Sequence, residues 1–212
     1  MKRGFFYSLN SDTMKRQSKK GCRFTSDYIE YSQATLKGNE LLWDEKRMII
    51  GFYVIFAINT GLRVSDILAR KHNELANLKT GDYLRIIEKK TRKFREIQIN
   101  TKIIEAYSYI ASKLIERGSY NLEGYIFTSQ KECVYRTESL NTILKRVFSG
   151  YAKNISTHSL RKSFGRHVYD ANLKSEHSLI CLSEIFQHTS MKVTRCYLGL
   201  RKEEIGNIYM NL

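Results

Sequence analysis

Several short stretches of this sequence carry side chains suited to a phosphodiester. Thr157-His158-Ser159-Leu160-Arg161 places an imidazole three residues before a guanidinium, and on a helix side chains at that spacing share a face. Thr60-Gly61-Leu62-Arg63 supplies a second guanidinium and Gln187-His188-Thr189-Ser190 a second imidazole. A guanidinium is a planar fork of donors that grips two phosphate oxygens and stays charged at any working pH. Between them in the chain lie Lys89-Lys90-Thr91-Arg92-Lys93 and then Arg95, cations of the kind that clamp a phosphate backbone. Each stretch alone is a weak signal, since an isolated HxxR arises often by chance and reads equally as an exposed polar face.

The charge balance gives those cations a partner. Thirty-six lysines and arginines face 21 aspartates and glutamates, a formal +15 over 212 residues, which suits a polyanion or an acidic membrane surface. With 42% hydrophobic and 12% aromatic residues the chain is no disordered basic tail, and its length allows a sizeable core without a disulfide or metal staple. The longest apolar run, residues 48–58, is too short to cross a bilayer and reads as a core helix. The opening MKRGFF is followed by no long apolar stretch, so it does not qualify as a secretory signal. Cys22, Cys133, Cys181 and Cys196 form no CxxC pair; the expectation is buried thiols in a reducing cytosol. His177 and Cys181 lie four apart, but two ligands do not make a metal site. There is no GxxxxGK[ST] loop and no paired-carboxylate cluster, so neither metal nor cofactor is expected.

Such groups act only if the fold gathers them. Residues 1–26 hold seven cations against the single acid Asp12 and show no periodicity; they read as a flexible basic arm, either functional or simply solvated. Ser26 is a plausible N-cap for a helix over 26–36, and Gly38 or Asn39 opens a longer one reaching Asn59. Thr60-Gly61 breaks it, and a further helix over 64–70 begins with Ser65 and Asp66, which suit its positive end. Arg63 therefore sits at a helix-turn-helix junction. Between Asp82 and Asn100 the pattern changes to period two, a β-hairpin with a cationic tip. Helical spacing returns over 101–117, capped by Thr101 and ended by Gly118, and then over 137–150, 157–171, 176–187, 190–197 and 201–210. The fold class is mainly α (α+β) with one small antiparallel sheet, in one domain over 27–212.

The order of these motifs, closed by Cys196-Tyr197-Leu198 with the tyrosine nine residues after His188, resembles the catalytic domain of the tyrosine recombinases, the phage integrase family, over residues 26–210. The resemblance implies the fold of DNA breaking-rejoining enzymes and a division of labour. Tyr197 attacks phosphorus, forms a 3′-phosphotyrosyl link and expels a 5′-hydroxyl. Arg63 and Arg161, with His188, hold the non-bridging oxygens. His158 is the candidate base. Lys90, the first lysine of Lys90-Thr91-Arg92-Lys93 where the family often shows K-T-G-K, protonates the leaving oxygen, with Lys89 and Lys93 close alternatives. Lys89, Arg92, Lys93 and Arg95 are the expected DNA contacts, and Tyr209 is the one late competitor for the nucleophile. The implied partners are double-stranded DNA and further copies of the chain, as a dimer or tetramer assembled on it, with room for accessory DNA-bending proteins. The implied setting is the cytoplasm, bacterial or phage-encoded and nucleoid-associated.

Gln187 stands where the family usually has glycine and Gln98 where the return strand often has proline; the stretch around 173–179 is longer than expected. Family members commonly carry a helical core-binding domain in front, so the chain reads as a minimal recombinase or as a piece of something longer. Segment 201–212 is amphipathic and docks on a neighbouring protomer or on its own core. Two other functions stay open: a DNA-binding regulator that kept the fold and lost catalysis, and a topoisomerase or hairpin-telomere resolvase.

Overall fold

The computed structural model describes residues 26–212, without the side chains of 201–204. Apart from Ser26, the basic arm expected over 1–26 lies outside the described residues. In chain order the elements are α1 (Tyr31–Leu42), α2 (Met48–Thr60), α3 (Val64–Ile67), a 3-10 turn (His72–Glu74), β1 (Tyr83–Ile87), β2 (Phe94–Gln98), α4 (Thr101–Glu116), α5 (Thr137–Val147), α6 (Thr157–Ala171), α7 (Glu176–Phe186), α8 (Met191–Leu198) and α9 (Leu200–Met210). The two strands pair antiparallel, Tyr83 opposite Gln98 and Ile87 opposite Phe94.

α2 is apolar on every side, and a helix of that kind is stable only when surrounded; α1, α4 and α6 pack around it. Its Phe52 ring stacks on Phe127 at 5.5 Å in the main core. A second, smaller core joins Tyr169, Leu179, Leu182, Phe186, Tyr197, Leu198 and Leu200. α6 touches helices of both, α1, α2 and α5 on one side and α7 and α8 on the other. Anything mounted on α6 therefore stands at the seam between the two cores.

Several expected boundaries move, each for a reason. Residues 26–30 are irregular rather than helical, and α1 runs through Gly38 to Leu42. Gly38 is not a break: a Cβ there would sit 3.1 Å from Ile55 and 3.2 Å from Val54, so the glycine lets α1 approach α2. Asp66 caps nothing. It is buried, and its Oδ1 accepts the Lys89 N–H at 2.8 Å, tying the hairpin to α3; Arg63, the residue before α3, has no side-chain cap bond either. Asn100 rather than Thr101 caps α4, accepting the Ile103 N–H at 3.1 Å. Cys133 is exposed and Cys181 half-buried, both free thiols, where burial was expected. α9 packs on α8 with Ile208, Tyr209 and Met210 exposed. Among the described residues no helix is long and apolar enough to cross a membrane.

Candidate active site

α6 begins on a reciprocal cap. The Ser156 hydroxyl accepts the His158 N–H at 3.2 Å, and the Ser156 N–H donates to the Ser159 hydroxyl at 3.1 Å. That start puts His158 exposed in the first turn and Arg161 one turn on, 3% exposed. Gly61 brings the other guanidinium alongside. Its φ of 59° is left-handed, and a Cβ would lie 2.4 Å from the Phe164 ring on α6, so only glycine lets the end of α2 press there and turn the chain into Arg63.

The two arginines converge on one atom. Nη2 of Arg63 and Nη2 of Arg161 both donate to the Phe186 carbonyl, at 3.1 and 3.2 Å. That carbonyl ends α7, where the helix dipole is negative, and it holds together two cations that would otherwise repel. Gln187 follows with φ 54°, the left-handed region in which glycine is the cheaper residue. The Arg161 guanidinium also lies 4.5 Å from the Phe186 ring centroid. Arg161 Nη1 is buried, and the Arg161 side chain also hydrogen-bonds the Tyr197 hydroxyl; an anionic oxygen would satisfy the buried donor more strongly. Burial brings the Arg161 pKa down to about 10, which still leaves it charged at neutral pH.

A carboxylate absent from the expected set fixes the other side. Glu88, 0% exposed, accepts from Arg63 Nη1 at one oxygen and from Arg95 Nη1 at the other, the latter at 3.2 Å, while the Thr91 hydroxyl donates to it at 2.9 Å. Burial pushes its carboxyl up, but the Thr91 hydrogen bond and the two guanidiniums outweigh that and hold it below the usual range. Arg95, expected among the DNA contacts, is instead turned into the protein, donating to Glu88 and at 2.8 Å to the Thr60 carbonyl. Lys89, Lys90, Arg92 and Lys93 stay exposed on the tip. Glu88→Leu is expected to cost about 3 kcal/mol of stability by leaving two half-buried guanidiniums without their counter-charge. A urea unfolding midpoint unchanged from the parent would contradict that reading of the ion pair.

Tyr197, 5% exposed, comes from α8 with its ring at steep angles to Phe186 (5.4 Å) and His188 (5.3 Å). Burial pushes its hydroxyl up to about 12, while Arg161 and Arg63 draw it back down. The cations placed to hold a phosphate thus also favour a phenolate. His188 Nδ1 lies 2.9 Å from the buried Thr194 hydroxyl, and burial with the Arg161 and Arg63 charges lowers its pKa to about 4. It is neutral at physiological pH, and in the tautomer in which Nδ1 accepts from Thr194 its ring proton sits on Nε2. Although solvent reaches the His158 side chain, the protein around it still desolvates the ring, and this, followed by the charges of Arg161, Lys162, Lys90 and Arg63, lowers its pKa. Arg63, Arg161, His188 and Tyr197 are brought together around Phe186, while His158 and the exposed Lys90 are tied to them only through the field they share.

Two contributors, Glu88 and the Phe186 carbonyl, lie outside the motifs, and Asp66, expected to suit the start of its helix, instead ties the hairpin to α3. Glu88 carried a signal, as the lone acid beside a run of cations on the face that also bears Leu84 and Ile86. The backbone carbonyl carried none.

A family model described as "Phage integrase family" matches residues 38–204. A probable integrase/recombinase of Bacillus subtilis (strain 168), YoeC, is 29% identical over 159 residues, 74% of this chain and 81% of the relative. The tyrosine recombinase XerH of Helicobacter pylori (strain ATCC 700392 / 26695) is 28% identical over 183 residues, 84% of this chain and 46% of the relative, so the chain spans about half that relative's length. Among solved structures, XerH bound to palindromic difH substrate in a post-cleavage complex superimposes with a TM-score of 0.68 at 20% identity, covering 98% of this chain and 60% of that one. At that identity the likeness speaks for the fold.

Proposed function

The chain belongs to the phage integrase family, with a match over residues 38–204, and on that premise we propose that residues 27–212 are the catalytic domain of a site-specific recombinase that cuts and rejoins DNA through a 3′-phosphotyrosyl link. The fold expected from the sequence, mainly α with a small antiparallel sheet, is the fold found. The observation that carries the proposal is the meeting of Arg63 and Arg161 on the Phe186 carbonyl, in the field of the Tyr197 hydroxyl.

Charge on the non-bridging oxygens concentrates toward a pentavalent transition state, and donors fixed beforehand stabilise it most. Arg63 and Arg161 supply that fixed charge, and His188 Nε2 adds a neutral donor. The tyrosine proton leaves to His158, whose depressed pKa keeps a free lone pair at neutral pH. Phenolate oxygen bonds to phosphorus as the P–O5′ bond breaks, and Lys90 delivers a proton to the departing 5′-oxygen. The bond energy stays in the protein–DNA link. Double-stranded DNA is the proposed substrate, copies of the chain assembled on it the proposed partners, with accessory DNA-bending proteins where a site needs bending, and the cytoplasm the setting.

Lys90 gives a prediction with its own control. Lys90→Met slows attachment by about 10²-fold on ordinary DNA, the usual worth of a general acid, and regains most of that on a duplex with sulfur in place of the scissile 5′-oxygen. A thiolate leaves without a proton, so an equal deficit on both substrates would assign Lys90 to phosphate clamping instead.

The proposal is tested by presenting the chain, in EDTA and without nucleotide, with a pool of nicked duplexes of randomised core and recovering covalent complexes. Attachment to a defined subset supports a site-specific recombinase. Binding without attachment would favour the regulator, a reading to which the burial of Tyr197 lends some weight. Relaxation of supercoiled plasmid at no particular site, or closed hairpin ends, would point to the topoisomerase or resolvase.

A further inference from the structure

Next to Arg161 on α6 is a lysine that no motif singled out. Lys162 is 5% exposed, and a buried ammonium is costly unless its surroundings repay it. Two groups do so. Its Nζ donates to the Ser26 carbonyl at 2.5 Å and stands 5.4 Å from the centroid of the Tyr197 ring. We propose that Lys162 is a positioning residue for Tyr197, an ammonium clamped by the irregular strap 26–30 and set over the face of the phenol so that it holds the ring in its attacking pose and favours the anionic form. The inference rests on the recombinase reading above and adds a residue to it.

The strap is fastened independently of the lysine. The Ile29 N–H donates to the Ser163 hydroxyl at 3.0 Å, the Asp27 N–H and Asn154 carbonyl pair at 2.8 Å, Asp27 Oδ2 accepts the Asn154 N–H at 2.9 Å, and Arg166 lies 4.6 Å from the Tyr28 ring centroid. A lysine needed only to hold the strap would therefore add little. Its position against the ring adds something specific. Attraction between a cation and an aromatic face grows when the phenol carries negative charge, so the contact is stronger as attack begins than in the resting enzyme. The charged groups facing the phenol are Arg161 and Lys162 from α6 and Arg63 from the turn before α3, with the neutral but titratable His188 from the turn before α8; Lys162 in turn feels Asp27 from the strap.

The test uses the full chain and a duplex recovered from the wild-type covalent complexes. Single-turnover attachment is followed from about pH 6 to 9 for the parent, Lys162→Met and Lys162→Arg, and uncleaved binding is measured for each in a Tyr197→Phe background. Lys162→Met is expected to be about tenfold slower at neutral pH and to bind DNA as the parent does; because the same ammonium helps to lower the pKa of the His158 base, it is also expected to need a higher pH to reach its limiting rate. Lys162→Arg, which keeps the cation, is expected within about threefold of the parent. A Lys162→Met protein with the parent's rate and pH profile overturns the inference. So does a deficit equal at every pH that arginine does not restore, which marks a merely structural lysine. If Lys162→Met does not melt cooperatively, Lys162→Gln takes its place in the same comparison. Failure of the parent itself to attach to any duplex in the pool would overturn the recombinase reading instead, and so separates the two.

Discussion

The Tyr197→Phe chain forms no covalent complex with DNA, binds the same duplex within about twofold of the parent, and unfolds within about 1 kcal/mol of it. The loss is complete because the hydroxyl is the atom that joins phosphorus, and no neighbouring side chain substitutes for it. The other two outcomes follow from packing. Phenylalanine keeps the ring against Phe186 and His188 and under the Lys162 ammonium, so the smaller core is unchanged. Only a hydroxyl whose burial pushes its pKa to about 12 is removed. Tyr209, the late competitor, is 74% exposed on α9. A denaturing gel of labelled nicked duplex reads the result, and a persisting adduct would move the nucleophile elsewhere.

Arg161→Lys loses about 10³-fold in the rate of attachment while DNA affinity falls by less than about tenfold. The buried guanidinium holds the Phe186 carbonyl with Nη2 and presents the buried Nη1 to an anionic oxygen. A single ammonium serves one of these at a time and lacks the planar fork. The charge survives, so long-range attraction to the backbone is retained and the defect falls on the chemical step. Single-turnover rates at saturating enzyme separate the two quantities. An equal drop in affinity and rate would show that Arg161 binds ground state and transition state alike.

How much of this was legible depends on how local each feature is. α6 was expected over 157–171 and found as Thr157–Ala171, because a polar N-cap and a continuous helical pattern lie next to each other in sequence. The hairpin was legible from period-two alternation. The same alternation held information that composition hid: the face bearing Leu84, Ile86 and Ile97 also bears Glu88 and Arg95, since Ile86 pairs with Arg95. An arginine on an inward face needs an acid, and reading the run of cations as one exposed patch lost that inference. Gly38 resembles punctuation when α2 cannot be seen beside it, yet α1 runs through it to Leu42. The Arg63–Phe186 and Lys162–Ser26 contacts span 123 and 136 residues, and one partner in each is a backbone carbonyl. No local pattern encodes such a pairing; it follows from how α6 lies between two cores.

The central claim is that six side chains from distant parts of the chain act on one phosphorus through the oxygen of Tyr197. It is tested most directly by digesting the covalent complex and locating the nucleotide by mass spectrometry. The account predicts a nucleotide on the peptide bearing Tyr197, joined through its 3′-phosphate, with a free 5′-hydroxyl on the released strand. A nucleotide on the peptide bearing Tyr209 or on any non-tyrosine residue, or a 5′-linked adduct, would contradict it.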